Sequence, residues 1–302
     1  MAEVTAAMVK ELREQTGAGM MDVKRALTEA NGNMEEATKI LRKKGLAAAT
    51  KKAGRITSEG SVHATTSGNV GVLVEVNCET DFVARTDQFR QFVDELAKLI
   101  ARSKATTVEA LLTEQWNGET VAQKTHDIIA KIGENVTIRR FVRYEAAAGA
   151  AIGTYIHAGG KIGVIVELVA NNKSDRTNEV ARDMAMHIAA AEPRFISRDD
   201  VTQKDVDTER EIARDQALKS GKPENIVEQM VAGKLKKFYG EACLLEQPYI
   251  RNDKQSVSDY LEDTGKSAGC AYVITRFTRY KLGEGIEKKA DDFAAEVMSY
   301  IK

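Results

Sequence analysis

At 302 residues the chain exceeds the roughly 250–300 at which a single core stops growing, so two or more domains are expected. With 43% hydrophobic and 29% charged residues it is an ordinary soluble composition somewhat rich in charge, and a net charge of -1 excludes a global field that would draw it to nucleic acid or membrane. Cys78, Cys243 and Cys270 are odd in number, widely spaced and without a C-x-x-C pair, which points to free thiols in a reducing cytosol. The opening M-A-E-V-T has neither the basic start nor the apolar centre of a signal peptide, and no run of about 18 apolar residues could span a membrane.

Residues 1–45 read as three short helices. Thr5 suits the first N-cap, Met8, Val9 and Leu12 form a stripe, and Gly17 ends the helix. The second helix carries Val23, Ala26, Leu27 and Ala30 and stops at Asn31-Gly32. Asn33 caps the third, Glu36 completes a capping-box-like pair, Ile40 and Leu41 face inward, and Gly45 closes it. Three helices of about three turns bury only a small core, so this is a docking-sized module. The approach Gly17-Ala18-Gly19-Met20-Met21 leaves two readings open. It is a hinge whose methionines fill gaps in that core, or an exposed, adaptable apolar patch for a partner. Arg42, Lys43, Lys44, Lys51, Lys52 and Arg55 follow without an acid. They read as a basic linker, either a solvated face or a means of steering the module onto an acidic or phosphate-bearing surface.

A hairpin comes next: an arm over 62–66, a turn at Ser67-Gly68-Asn69, and a buried strand over 70–76. The strand runs into V-N-C-E-T-D-F-V-A-R at 76–85, and then into a helix over 86–100 with Phe89, Phe92, Val93, Leu96, Leu99 and Ile100 on one stripe. A phenyl ring and a carboxylate at this strand-to-helix turn have two readings. Phe82 packs under the loop and Asp81 caps the turn, or a rigid tip pushes Phe82 into a partner. Thr106 and Glu109 predict a capping box opening a helix to about Trp116, Val121 to Ile132 a further helix closed by Gly133, and 136–144 a strand.

The hairpin pattern then returns. An arm over 151–157, a turn at Ala158-Gly159-Gly160 and a strand over 162–168 match 70–76 in type at every position, with Glu167 over Glu75 and Gly163 over Gly71. A helix with Val180, Met184 and Ile188 follows. This is an internal duplication, and the second copy has Asn172-Lys173-Ser174 where the first has Thr80-Asp81-Phe82. A copy that keeps the frame without the aromatic tip suggests that folding does not require the tip. A polar helix over 201–220, a stop at Gly221 and a helix over 223–238 predict an antiparallel arm roughly 20–30 Å long. Its apolar stripe would meet the protein body or a second copy of the chain. The end reads as a strand over 243–250, a short helix from Ser256, a strand over 272–280 and a helix with Phe293, Val297 and Ile301.

No catalytic constellation emerges. Gly265-Lys266-Ser267-Ala268-Gly269 matches G-x-S-x-G, but a helix precedes it, a strand follows it, and no histidine lies beyond His187. The same Gly-Lys-Ser lacks the first glycine of a P-loop, since position 260 is Tyr260, and Gly283-Glu284-Gly285 lacks the third glycine of a dinucleotide fingerprint. His63, His126, His157 and His187 show no metal spacing; His187 reads as a core residue and His157 as an exposed one beside a turn.

Four stretches carry a resemblance: G-A-G-M-M-D-V-K-R-A-L at 17–27, N-C-E-T-D-F-V-A at 77–84, K-I-G-E-N at 131–135, and the paired G-x-x-x-H/G-x-I-G hairpin. In this order, over essentially the whole chain, they resemble the bacterial elongation factor Ts family. The resemblance implies an α+β chain with four parts: a ubiquitin-associated-like module and basic linker (1–55), a first core subdomain (56–144), a second (145–282) with a protruding helical hairpin at 201–239, and a C-terminal helical module (283–302). It implies a guanine-nucleotide exchange factor for elongation factor Tu, cytoplasmic, with no catalytic group, cofactor, direct nucleic-acid contact or membrane contact. By the same resemblance Thr80, Asp81, Phe82 and Val83 form a tip that dislodges Mg²⁺ from the GTPase. Met20, Met21 and Lys24 contact it, Ile132, Gly133 and His157 support binding, Lys52 lies at the linker contact, and the C-terminal helix docks. The family's frequent Cys is Val23 here, a core-like position. A homodimer through the helical hairpin and a heterotetramer with elongation factor Tu both stay open. Competing readings are an RNA- or ribosome-binding module using the basic run, a serine esterase using Ser267, and a purely structural dimer.

Overall fold

The computed structural model describes residues 4–16, 18–172, 176–219 and 223–286. The predicted helix end at Gly17, the second-copy residues Lys173 and Ser174, the stop at Gly221 and the C-terminal helix of Phe293, Val297 and Ile301 lie outside the described residues. Helices α1 (Ala6–Thr16), α2 (Met20–Glu29) and α3 (Met34–Lys52) close over Leu12, Val23, Ala26, Leu27 and Ala37. Asn33 caps α3 by accepting from the Glu36 N–H. The expected stop at Gly45 is wrong, and so is the linker reading of the basic run: α3 continues through Lys52. Gly45 is buried, and a Cβ there would lie 3.6 Å from that of Ala130, so the glycine marks a close helix approach. Three alanines and two lysines after it favour helix enough to offset its cost of about 1 kcal/mol.

Strands β1 (Glu59–Ser67) and β2 (Val70–Cys78) are joined by Gly68-Asn69, and every residue of β2 is buried. The one-turn helix α4 (Asp81–Ala84) and the long α5 (Asp87–Arg102) follow. The next helix is shorter than expected and starts later. Thr107, not Thr106, caps α6 (Val108–Thr113). Trp116 instead belongs to a two-residue hairpin, β3 (Gln115–Trp116) with β4 (Glu119–Thr120), where Asn117 and Gly118 take the positive φ of its turn. Helix α7 (Val121–Ile132) opens on a Thr120/Gln123 capping box and ends at left-handed Gly133. Strand β5 (Val136–Glu145) completes a sheet ordered β1-β2-β5.

The second copy repeats this order. Strands β6 (Ala150–His157) and β7 (Ile162–Ala170) pair antiparallel, Ile152 opposite Glu167, and α8 (Arg176–Ala191) packs on both. Helices α9 (Gln203–Leu218) and α10 (Glu224–Ala242) pair through Ala213, Ala217, Val227 and Val231. The strand expected over 243–250 is mostly absent. A 3-10 turn at Leu244–Glu246 and the two-residue β8 (Pro248–Tyr249) replace it, and Leu244 and Tyr249 both enter the core. Strand β9 (Asn252–Ser256), helix α11 (Val257–Ala268) and β10 (Tyr272–Lys281) end the described fold, and the second sheet runs β10-β7-β6.

The chain divides into two compact units, one of Met1–His63, Val74–Phe141 and Lys281–Lys302, the other of Ala64–Leu73 and Val142–Tyr280. Each holds one buried glutamate on its central strand. In the first, Glu75 accepts from Arg139 Nη1 at 2.9 Å, Arg140 Nε at 2.6 Å and the Gly283 N–H at 2.8 Å. In the second, Glu167 accepts from Arg276 Nε at 2.9 Å and the Thr275 hydroxyl at 2.8 Å. Burial opposes the Glu167 charge, but these bonds outweigh it and hold the carboxyl below its ordinary range.

Candidate functional site

The tip begins where β2 ends. Thr80 takes extended backbone, its hydroxyl oxygen accepts from the Val83 N–H at 3.3 Å, and Asp81 to Ala84 wind into a single turn. Thr80, not Asp81, is therefore the cap; Asp81 lies in the first turn and pairs with Arg85 at 2.8 Å. One turn of helix has little stability of its own, since nucleation fixes several residues for one hydrogen bond. It is held from outside. Gly133, at φ 85, reverses the chain at the end of α7, and the next residue, Glu134, turns its carboxylate onto the tip. That carboxylate accepts from the Glu79 N–H at 3.1 Å, the Thr80 N–H at 3.0 Å and the Thr80 hydroxyl at 2.7 Å. Asn135 adds a second tie. Its N–H donates to Glu79 Oε1 at 2.6 Å and its amide to the Arg55 carbonyl at 3.0 Å, while the Arg55 guanidinium reaches the Glu79 carboxylate at 3.3 Å. Under the tip Cys78 Sγ contacts the Thr80 carbonyl at 3.2 Å. Burial, then the charge of Glu134, pushes that thiol up to about 12, so it stays uncharged near neutral pH.

On this support Phe82 is 79% exposed, the largest exposure among the large apolar side chains that lie outside the core of the described residues. The reading in which it packs under its own loop fails. Val83 is half-buried beside it.

The other expected residues fall at separate places. Met20 and Met21, 57% and 64% exposed, begin α2, which decides for an exposed patch over core filling. Together with Lys24, one turn on, they line an open cleft of ≈ 930 Å³ beside Val9, Lys10 and Arg13 of α1. Lys52 is the last residue of α3, and Ile132 and Gly133 end α7 immediately before Glu134. His157 belongs to the second unit, at the end of β6, exposed, with its Nδ1 3.2 Å from the Tyr155 hydroxyl. His187 is fully buried; its Nε2 meets Gln247 Oε1 at 2.9 Å and its Nδ1 accepts from the Ile250 N–H at 3.3 Å, a core role as expected.

The basic run is partly neutralised. Arg42 pairs with Glu119 at 2.5 Å, Lys44 with Glu29 at 3.1 Å and Arg55 with Glu79 at 3.3 Å, leaving Lys43, Lys51 and Lys52 without an ion pair among the described residues. The G-x-S-x-G string is the last turn of α11, where Ser267 donates to the Asp263 carbonyl and Gly269 supplies the left-handed cap. Among the described residues no cluster of His, Cys, Asp or Glu could hold a metal, and no helix is long and apolar enough to cross a membrane.

Reading the sequence for exposed tips missed what holds them. Glu134, Asn135 and Glu79 were in view as letters of K-I-G-E-N and N-C-E-T-D. The signal was a helix-ending glycine followed at once by Glu-Asn, an acid and an amide with nothing local to bond. A second signal was also present. R-F-x-R-Y occurs at 140–144 and again at 276–280, extending the duplication to the third strand of each sheet.

A family model described as Elongation factor TS matches residues 79–284. Elongation factor Ts of Syntrophotalea carbinolica is 50% identical over 303 residues, covering 99% of this chain and 100% of that protein. Elongation factor Ts of Clostridium perfringens is 50% identical over 297 residues, 97% of this chain and 98% of that protein. That of Trichlorobacter lovleyi is 48% identical over 303 residues, 97% of each. With a tip supported from two elements, a duplicated hairpin frame and this likeness along the whole length, the chain belongs to the elongation factor Ts family, elongation factors of protein biosynthesis.

Proposed function

We propose that the chain is the guanine-nucleotide exchange factor for elongation factor Tu. It binds the GDP-bound GTPase, dislodges Mg²⁺ with Thr80, Asp81, Phe82 and Val83, and promotes GDP release so that GTP can rebind. The observation that carries this reading is the 79% exposure of Phe82 on a one-turn helix fastened by Glu134. An isolated phenyl ring held outward on a stiff base is suited to entering another protein. Met20, Met21, Lys24, Lys52, Ile132, Gly133 and His157 complete the partner contacts in this reading, within the four-part division 1–55, 56–144, 145–282 and 283–302. The exposed Ile212 and Leu218 of α9 favour a second copy or a partner on the helical hairpin.

The energetics require no catalytic group or cofactor. Exchange is a coupling between two ligands of the GTPase: whatever factor this chain weakens GDP by, GDP weakens this chain by the same factor. Each tenfold step takes about 1.4 kcal/mol. Burying a phenyl ring in a well-packed site is worth on the order of 3–5 kcal/mol, so Phe82, packing only in the nucleotide-free state, can account for about two orders of magnitude. Loss of Mg²⁺ adds to this, because its charge helps hold the phosphates. Such a factor works in the cytoplasm and needs neither nucleic acid nor membrane.

Stopped-flow release of fluorescent GDP from elongation factor Tu tests the reading. Phe82→Ala is expected to slow release at least about tenfold while much of the affinity remains. An unchanged rate would overturn it.

A further inference from the structure

The tip has a supporter to which the exchange reading assigns no part in nucleotide release. We infer that Glu134 is a positioning residue for exchange: its carboxylate, not the local sequence, sets the direction in which α4 presents Phe82. This rests on the exchange reading above and adds a residue to it.

Three observations carry it. First, α4 has four residues and a half-buried surround, and none of its own residues is fully buried, so its local bonds close the turn but no buried side chain anchors its direction. Second, two successive backbone N–H groups, of Glu79 and Thr80, point at one carboxylate that arrives from 55 and 54 residues away. Charge-assisted bonds of this kind are the stronger class of hydrogen bond and fix direction as well as distance. Third, Thr80 works twice through one hydroxyl, donating to Glu134 at 2.7 Å and accepting from Val83 at 3.3 Å. The cap of α4 and its tie to α7 are thus one group. Asn135 and Arg55, both bonded to Glu79 or its neighbourhood, hold the base of the tip but do not touch α4. Cys78 reaches the Thr80 carbonyl from the preceding strand, and Glu134 is the tie from a distant element that continues into the helix cap.

A glutamine at 134 keeps an oxygen where both N–H groups donate, and the Thr80 hydroxyl can turn to accept from the new amide. An alanine loses all three bonds. The test therefore compares Glu134→Ala with Glu134→Gln, each full-length, in GDP release from elongation factor Tu over a series of exchange-factor concentrations. Glu134→Ala is expected to lower the saturating release rate about tenfold while the half-saturating concentration moves less than about threefold; Glu134→Gln should stay within about threefold of the parent in both. A saturating rate unchanged in Glu134→Ala, or an equal fall in both variants, overturns the inference. Amide hydrogen exchange of the free protein gives a readout independent of the partner. In Glu134→Ala, residues 79–86 should exchange at least about tenfold faster while 70–76 keep their protection. Unaltered protection over 79–86 overturns the inference as well, and loss across 70–76 overturns it in favour of a general folding role. Phe82→Ala in the same series separates the two claims. If that variant releases GDP at the parent rate, the tip reading has failed, while hydrogen exchange still judges the clamp.

Discussion

The two hairpin copies share a frame and differ at the exit. Both run hairpin then third strand in the same order, with the buried glutamate of the central strand bridged to arginine on the neighbouring strand. After β2 the chain rises into α4 and turns a phenyl ring to solvent. After β7 it is stitched down: the Asn171 side chain accepts from the Ala271 N–H at 2.7 Å, and its own N–H donates to the Ala271 carbonyl at 3.3 Å. A strand exit in this frame is satisfied by a tie to the next strand. The one-turn helix of the first copy is an addition that needs its own support from Glu134, and an addition with a dedicated support is where a function distinct from folding is expected.

The shared part of the frame is not uniform, and the largest effects should show it. Glu75 is 0% exposed and serves Arg139, Arg140, Asn77 and the Gly283 N–H, whereas Glu167 keeps a little exposure and serves Arg276 and Thr275. Glu75→Ala leaves two guanidinium groups without their main acceptor and is expected to cost about 3–5 kcal/mol, as breaking a buried ion pair does. For Glu167→Ala, whose arginine is more open to water, about 1–3 kcal/mol is expected. Urea unfolding of each variant measures both. Equal costs would mean that the two bridges are equivalent despite their burial.

A smaller difference sits in the glycines. A Cβ on Gly153 of β6 would come within 2.1 Å of the Ala181 carbonyl oxygen, and α8 has no side chain there to move aside. A Cβ on Gly71 of β2 would meet Ile152 Cγ2 at 2.5 Å and Ile165 Cδ1 at 3.0 Å, which are side-chain methyl groups and not backbone. Gly153→Ala should therefore cost about 3 kcal/mol and Gly71→Ala about 1 kcal/mol, read from the shift of the unfolding midpoint. The reverse order would mean that α8 yields more readily than the isoleucines.

These contrasts also mark what the sequence could show. The duplication was legible because β2 and β7 are buried along their length, and buried strands print as Val/Ile/Leu runs with the same Gly and Glu inside. The exposed tip was legible only as a choice between two readings, since a phenylalanine in a turn looks the same whether it faces in or out. The continuation of α3 past Gly45 was hidden because glycine commonly ends helices, and the nearness of Ala130 on another helix, which gives this glycine a packing reason, cannot be read locally. The short backbone at Leu244–Glu246 read as strand because two apolar residues entering a core have no period to distinguish turn from strand. Glu134 was hidden for the opposite reason: Gly133-Glu134-Asn135 shows locally that an acid lacks a partner, but the partners themselves lie more than 50 residues away.

The smallest effect expected is the one that separates frame from tip most sharply. Among the described residues Phe82 has no ring partner, and it caps nothing and buries little of its surface, so Phe82→Ala removes almost no apolar area that folding had hidden. Surface changes of this kind stay within about 0.5 kcal/mol. Phe89, seven residues on and fully buried, would by contrast leave a cavity if truncated. Thermal or urea unfolding of Phe82→Ala should overlay that of the parent in the same preparation that shows slowed GDP release. A destabilisation well beyond that range would mean that the ring rests on its own protein in solution, and the first copy would then differ from the second only in sequence and not in purpose.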